Sequence, residues 1–325
     1  MKFYKITLLI PIALFFTNCE QKITIKKNQL TSNNPIAYTD VVYKSNRDTV
    51  FVSTYSGKIY ELINSKENKK QIAAINDEIY NLVYNVQSDE LYAATLNSGV
   101  AIIDASTGAV KRTLPIEQTW AYQLCYNEKN RILATFDFKG NSYIWDIEND
   151  YSLLETPSEL QQMRPKYIAD NGDIYFDGKN KIIRWNYRTK DIKPFKINGN
   201  ITDIDTEKNI VLLGGKEFTF YNSELDSVLY KEKHPNWPIH ISGKEGKDSI
   251  VNVPLSLEVL SGLASPKFIY TYGLDKSIRK WGKLSGDLVE TYTGHKGTIS
   301  GMDSNKDKTQ LVTVDLLGNI QFLDL

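Results

Sequence analysis

ILATFDFKGNSYIWD, residues 132–146, reads as two apolar strands joined by a Gly-containing turn, the second closing on Trp145-Asp146. The same phrase recurs as FVSTYSGKIYELI (51–63), LYAATLNSGVAIID (91–104), IYFDGKNKIIRWN (174–186), IVLLGGKEFTFYN (210–222), FIYTYGLDKSIRKWG (268–282) and LVTVDLLGNIQFLD (311–324). A large residue closes each second strand: Leu62, Ile103, Trp145, Trp185, Tyr221, Trp281 and Leu323. The steps between these positions are 41, 42, 40, 36, 60 and 42 residues.

Short strands at a period near 40 are the signature of a propeller array. The expected fold is therefore all-β: a seven-bladed β-propeller of four-stranded antiparallel blades, occupying residues 22–325. In the second repeat the strands read EIYNLVYN, ELYAATL, GVAIIDA and AVKRTLPI; in the third, AYQLCYN, RILATF, SYIWDI and YSLLETP. Turn chemistry falls between them, at 97–99, 106–108, 170–173 and 317–319. No amphipathic helix is expected after the leader. The last repeat, 295–325, stops after its third strand, while KITIKKNQL at 22–30 is an orphan strand before the first repeat. The economical expectation is that this N-terminal strand completes the last blade and closes the ring, leaving no free edge. The step of 60 signals extra residues within 234–266, with 243–265 as either a contact loop or an enlarged strand pair.

MKFYKITLLIPIALFFTNC, residues 1–19, has a basic start in Lys2 and Lys5 and an apolar run from Ile6 to Phe16. That run is too short to span a bilayer, which needs about 20 residues, and it fits the apolar region of a secretory signal. It resembles a bacterial lipoprotein signal of the tolerant, Bacteroidota-like kind, with Asn18 where Ala or Gly is commoner. The resemblance implies a signal peptide at 1–18, lipidation of Cys19, a tether at 19–21, and anchoring in the cell envelope after export, in the outer membrane on its periplasmic or surface side. Each buried acyl CH₂ contributes about 0.8 kcal/mol, so several chains on one Cys hold a domain firmly. The alternative is an ordinary signal peptide with an incidental Cys.

Lys+Arg and Asp+Glu both count 39; without Lys2 and Lys5 the balance is 37 against 39. The chain carries no basic block and no basic-aromatic run, so no nucleic-acid partner is expected. Lys26-Lys27 and Lys69-Lys70 read as solvated loop charge. The two cysteines, Cys19 and Cys125, offer no disulfide framework, and Cys125 in AYQLCYN reads as a small buried hydrophobe.

Gly294-His295, Asp315 and Leu323-Asp324 in the last repeat resemble a WD-repeat unit, and 273–281 (GLDKSIRKW) resembles that family's strand pair; Trp145-Asp146 is the one literal WD dipeptide. In that family a His, a Ser/Thr, an Asp and a Trp form a hydrogen-bonded network within a blade. Carried over, the resemblance assigns structural roles to Trp145, Asp146 and Trp185, to Asp275 and Trp281 with His234 and Gly273 in the His and Ser/Thr slots, and to His295, Thr313 and Asp315 with Leu323 in the Trp slot. Asp137, Asp177, Asp275 and Asp315 recur in one turn of four blades, a regularity that reads as architecture.

HExxH, paired CxxC and GxSxG are all absent. His234 and His240 in HPNWPIH could share a metal, but they read more simply as loop and strand-end residues, and no metal or cofactor is expected. Aromatic residues break the repeat symmetry. Tyr80, Trp120, Tyr122 and Trp237 fall at the starts of inner strands, near one mouth of the central channel, with Arg164 and His240 in the same region. These six are the candidate interaction surface; blade-to-blade packing is the plainer account of them. The leading expectation is a lipid-anchored extracytoplasmic propeller, a non-catalytic platform for an unknown protein partner. The runner-up is a propeller enzyme or a small-ligand or metal-binding protein with its site in the channel.

Overall fold

The computed structural model describes residues 37–44, 48–63, 69–205, 209–214, 216–241 and 249–325. The signal, Cys19, the tether and the strand expected at 22–30 lie outside the described residues. Blade one runs Tyr38–Tyr43, Thr49–Thr54, Lys58–Ile63 and Lys70–Ala74, in that spatial order. Blades two to six repeat the meander from inner strands Ile79–Asn85, Cys125–Asn127, Arg164–Ile168, Asn200–Ile204 and Val259–Ala264. Blade seven has three described strands, Ile299–Ser304, Gln310–Asp315 and Ile320–Asp324. A single 3₁₀ turn, Ser158–Leu160, is the sole helical element among the described residues.

Burial follows strand position. The second strands of blades one and three are buried at every residue, whereas outer strands such as Val110–Leu114 are exposed at all but one. A middle strand is covered on both faces by neighbouring blades, so its sequence is a near-continuous apolar run. Seven hydrophobic clusters form, one at each blade junction. Each of the three Trp slots packs into the preceding blade: Trp145 against Tyr92 and Ile102, Trp185 against Ile132 and Ala134, Trp281 against Val211 and Phe218. The core is thus a ring, and the large residue of the repeated phrase is the wedge at each of those junctions.

Blades seven and one meet directly. Val312 and Val314 pack with Val50 and Val52. The Tyr43 amide donates to Asp303 Oδ2 (2.8 Å), the Tyr43 hydroxyl to Gln310 Oε1 (3.0 Å), and Ser300 Oγ to the Tyr38 carbonyl (2.7 Å). A Cβ at Gly301 would stand 2.6 Å from Asp40 Oδ1, so glycine is what lets the two inner strands approach. Among the described residues, then, side chains and an Asp–amide clasp close the ring.

The 60-residue step resolves into a separate two-stranded hairpin, Asn236–Ile241 paired with Ser249–Ser256. The inner strand of blade six starts only at Val259. Trp237 and His240 therefore lie on the hairpin and not at an inner-strand start. The expectation failed because NWPIHI and VLSGLA carry the same strand-like apolar content; only pairing with Phe268–Gly273 tells which one belongs to the blade.

In six inner strands the pairing with the second strand slips by one residue. The unpaired residues are Thr39, Tyr80, Lys166, Thr202, Leu260 and Ser300, and all six line the central channel. A bulge inserts a residue and re-aims its side chain. Repeated around the ring, it adds a side chain to the channel wall from six blades.

Candidate functional site

The histidine networks are buried scaffold. In blade seven His295 Nδ1 lies 3.1 Å from Asp315 Oδ2 and Nε2 lies 2.8 Å from Thr313 Oγ1. A carboxylate only accepts, so Nδ1 carries the proton and Thr313 donates to Nε2. Burial alone would raise Asp315, but hydrogen bonds from the Asn319 and Gly297 amides, the Asn319 side chain and His295 outweigh it and hold the carboxyl down to about 2. In blade six Trp281 Nε1 donates to Thr271 Oγ1 (2.8 Å) and His234 Nε2 lies 2.8 Å from the same oxygen. Arg279 is inserted between His and Asp: Nη1 donates to His234 Nδ1 (2.7 Å) and Nη2 to Asp275 Oδ2 (2.5 Å). Burial, and then the Arg279 cation, push His234 down to about 4. His234 is therefore the opposite tautomer, with Nε2–H donating to Thr271.

Blade six thus holds His, Thr, Asp and Trp together, and the Thr is Thr271 rather than Gly273. The role of Gly273 is space: a Cβ there would stand 2.8 Å from His234 Nδ1. The four turn aspartates also separate. Asp137 and Asp315 are equivalent, each two residues beyond a Thr and each accepting from a turn Asn. Asp275 lies four residues beyond Thr271, and Asp177 sits within its strand, paired opposite Arg164. Asp146 caps the turn to the outer strand, accepting from the Glu148 amide at 3.0 Å. The blade-seven network has the Thr–His–Asp connectivity used in nucleophilic catalysis, and blade six has the same residue types with Arg279 between His and Asp. Thr271 and Thr313 are 0% exposed; no substrate reaches either hydroxyl, and in blade six the tautomer forbids His234 from taking a proton from Thr271.

The channel opens at one mouth into a cavity of about 670 Å³ with walls from all seven blades. Its chemistry is one-sided. Over blades one to three an aromatic row runs Tyr55–Tyr80 (5.4 Å between centroids), Tyr80–Trp120 (5.2 Å) and Trp120–Tyr122 (5.2 Å), with Phe138 stacked on Trp120 at 6.2 Å. Phe138 is 71% exposed and Tyr122 48%. Trp120 has φ +70°, a conformation costly for a bulky residue, and its buried indole N–H has no hydrogen-bond partner among the described residues. Beside this row stand two cations. Arg164 Nε donates to Asp177 Oδ1 (2.7 Å) and its guanidinium lies 5.9 Å from the Phe136 ring centre. Lys166 Nζ donates to Gln123 Oε1 (2.7 Å) and stands 3.8 Å from Asp177 Oδ2. Burial lowers Lys166 and raises Asp177, and their mutual attraction opposes both shifts. Blades five to seven contribute small residues to the wall, Thr202, Ser261, Gly262, Ser300 and Gly301 among them.

Two aspartates in the wall are spent on the scaffold. Asp40 Oδ2 accepts from the Leu82 amide (2.9 Å) and Asp203 Oδ2 from the Ala264 amide (2.8 Å), each clasping the next blade. Burial pushes Asp40 up to about 7 and raises Asp203. Among the described residues no three His, Cys, Asp or Glu side chains gather into a group that could hold a metal.

The solved structure of the WD40 β-propeller domain of Doa1 superposes with a TM-score of 0.67 at 13% sequence identity, covering 91% of this chain and 95% of that one. The fold is a WD40-type β-propeller. At 13% identity the likeness concerns the fold alone. No family model matches the chain, and no curated protein does.

The structure brings Tyr80, Trp120, Tyr122 and Arg164 together at the mouth of this WD40-type ring. Trp237 and His240 belong to the hairpin strand, and their side chains lie outside the description. Sequence reasoning missed Tyr55, Phe138, Lys166 and Asp177 at the mouth. Tyr55 and Phe138 follow the second strands of blades one and three by one and two residues, a signal the sequence did carry. Lys166 reaches the channel through its bulge, which the sequence does not mark.

Proposed function

We propose that this WD40-type propeller is a lipid-anchored, extracytoplasmic, non-catalytic platform that takes a protein partner at the aromatic–cationic mouth of its channel. The observation that carries the platform reading is the one-sidedness of that mouth. A wall serving only the scaffold would repeat from blade to blade, whereas here exposed aromatic faces and an Arg cluster over three or four neighbouring blades. Aromatic and Arg side chains dominate binding energy where they become desolvated. The lipoprotein-like leader supplies the location: an acylated Cys19 would hold the ring at the envelope on a short tether.

Both parts are open to test. Cys19→Ser should move the protein from the membrane fraction to the soluble extracytoplasmic fraction, and unchanged partitioning would refute lipidation at that residue. Affinity capture from solubilised envelope should retain the same protein with wild type and lose it with Trp120→Ala. Turnover of a substrate without reproducible capture would favour the channel-enzyme alternative, for which metal analysis of the purified protein is the quickest discriminator.

A further inference from the structure

The mouth does not end at the channel. A second cavity of about 510 Å³ lies beside it over blades four and five, lined by Arg164, Gly178, Lys179, Asn198, Gly199, Asn200 and Gly214. Arg164 and Asn200 line both cavities. The path runs from the aromatic row, past Arg164, onto a lateral groove whose lining includes three glycines and the exposed Lys179. The charged residues lining the lateral groove are Arg164 and Lys179, both positive, with Asp177 beside Arg164; the channel adds Lys166 and the two scaffold carboxylates Asp40 and Asp203, each of which accepts an amide of the next blade.

Arg164 is only half used. Its Nε is committed to Asp177, but its two terminal nitrogens make no hydrogen bond to any described residue, and the side chain is 40% exposed. A guanidinium held at its base with its fork open is the geometry that receives a carboxylate through two parallel hydrogen bonds. Trp120 and Asn200 line the same channel, and two of their buried polar atoms, the Trp120 indole N–H and Asn200 Oδ1, have no hydrogen-bond partner among the described residues.

We propose that the joined cavities bind an extended acidic peptide segment of a partner protein, with an Asp or Glu side-chain carboxylate on the Arg164 fork and a neighbouring apolar or aromatic side chain against Trp120 and Phe138. This rests on the platform reading above and adds the chemistry of the partner. The lateral groove supplies the exit for the peptide chain, and Lys179 favours a second acidic residue a few positions along it.

The test is selection of a displayed random-octamer peptide library on the full-length protein in detergent. The enriched pool should carry Asp or Glu next to an aromatic or large aliphatic residue. Enriched peptides made synthetically should lose at least about tenfold in affinity on Arg164→Ala and on Trp120→Ala, and nothing on Leu284→Ala at the far end of a blade. Arg164→Lys keeps a cation beside Asp177, and so the fold, while removing the fork; it should also cost about tenfold, with an unchanged urea midpoint. Amidation of the peptide C-terminus should leave binding unchanged; loss on amidation would overturn the side-chain assignment. Neutral enriched peptides that still depend on Trp120 would overturn the acidic class and leave the platform reading standing. Displacement of the peptides by short single-stranded DNA at equal concentration, or acidic peptides that bind Arg164→Ala as well as wild type, would overturn the proposal.

Discussion

Thr271→Val separates scaffold from site most sharply in blade six. Thr271 Oγ1 is the shared partner of two buried donors, Trp281 Nε1–H and His234 Nε2–H, each at 2.8 Å. Valine keeps the shape and leaves both donors unpaired. An orphaned buried donor costs about 1–3 kcal/mol, so with two orphaned the variant should lose about 2–6 kcal/mol. Trp281→Leu removes one of those bonds, about 1 kcal/mol, and leaves about 60 Å³ unfilled, which at about 24 cal/mol per Å³ adds about 1.5 kcal/mol. In the double variant the bond is lost only once, so the two losses should fall short of additivity by about 1–2 kcal/mol, where independent sites add within about 0.5 kcal/mol. The assay is urea unfolding of the four proteins of the cycle, with the slope checked for constancy. A loss below about 1 kcal/mol for Thr271→Val, or strict additivity, would refute the network as drawn.

Other consequences are as direct. Asp303→Ala frees the Tyr43 and Ser304 amides at the seam of blades seven and one and should cost about 2–4 kcal/mol; urea titration reads it, and a loss within about 0.5 kcal/mol would contradict the clasp. Asp40 is raised from 3.8 to about 7, so the stability it contributes is complete below pH 3.8 and is lost as pH rises through about 7; relative to Asp40→Asn, wild type should lose up to about 4 kcal/mol between pH 4 and pH 9. A pH-independent difference in urea midpoint would contradict that. Gly273→Ala should displace His234 and lower stability by about 1–3 kcal/mol, with a shifted His ring signal by NMR; an unmoved signal would show that the contact is not made.

How much was legible in the sequence follows from what each residue must satisfy. The large-residue slots could be read because Trp145, Trp185 and Trp281 wedge the junction with the preceding blade, a requirement that recurs with the blade. The rim positions of Tyr80, Trp120 and Arg164 could be read because inner strands all start at one end of the ring. Thr271 was not legible: blades three and seven place their Asp two residues beyond the Thr and blade six places it four beyond, and the difference is absorbed by a turn whose length spacing alone does not reveal. Arg279 was hidden because the blade-seven network joins His295 directly to Asp315 and gives no precedent for a cation between them. Lys166 and Thr202 were hidden because a bulge is a property of two paired strands, not of one. The hairpin at 236–256 was hidden because strand period does not say which strand a segment will pair with.

Photo-cross-linking in intact cells tests whether a partner docks at the channel mouth. A benzoylphenylalanine replaces Tyr122, which is 48% exposed at the mouth, or Leu284, which is 95% exposed in a turn between third and outer strands, at the other end of the blades. Position 122 should give one discrete adduct that disappears when Arg164→Ala is added, and position 284 none. Adducts from position 284 alone, or from 122 regardless of Arg164, would contradict that reading.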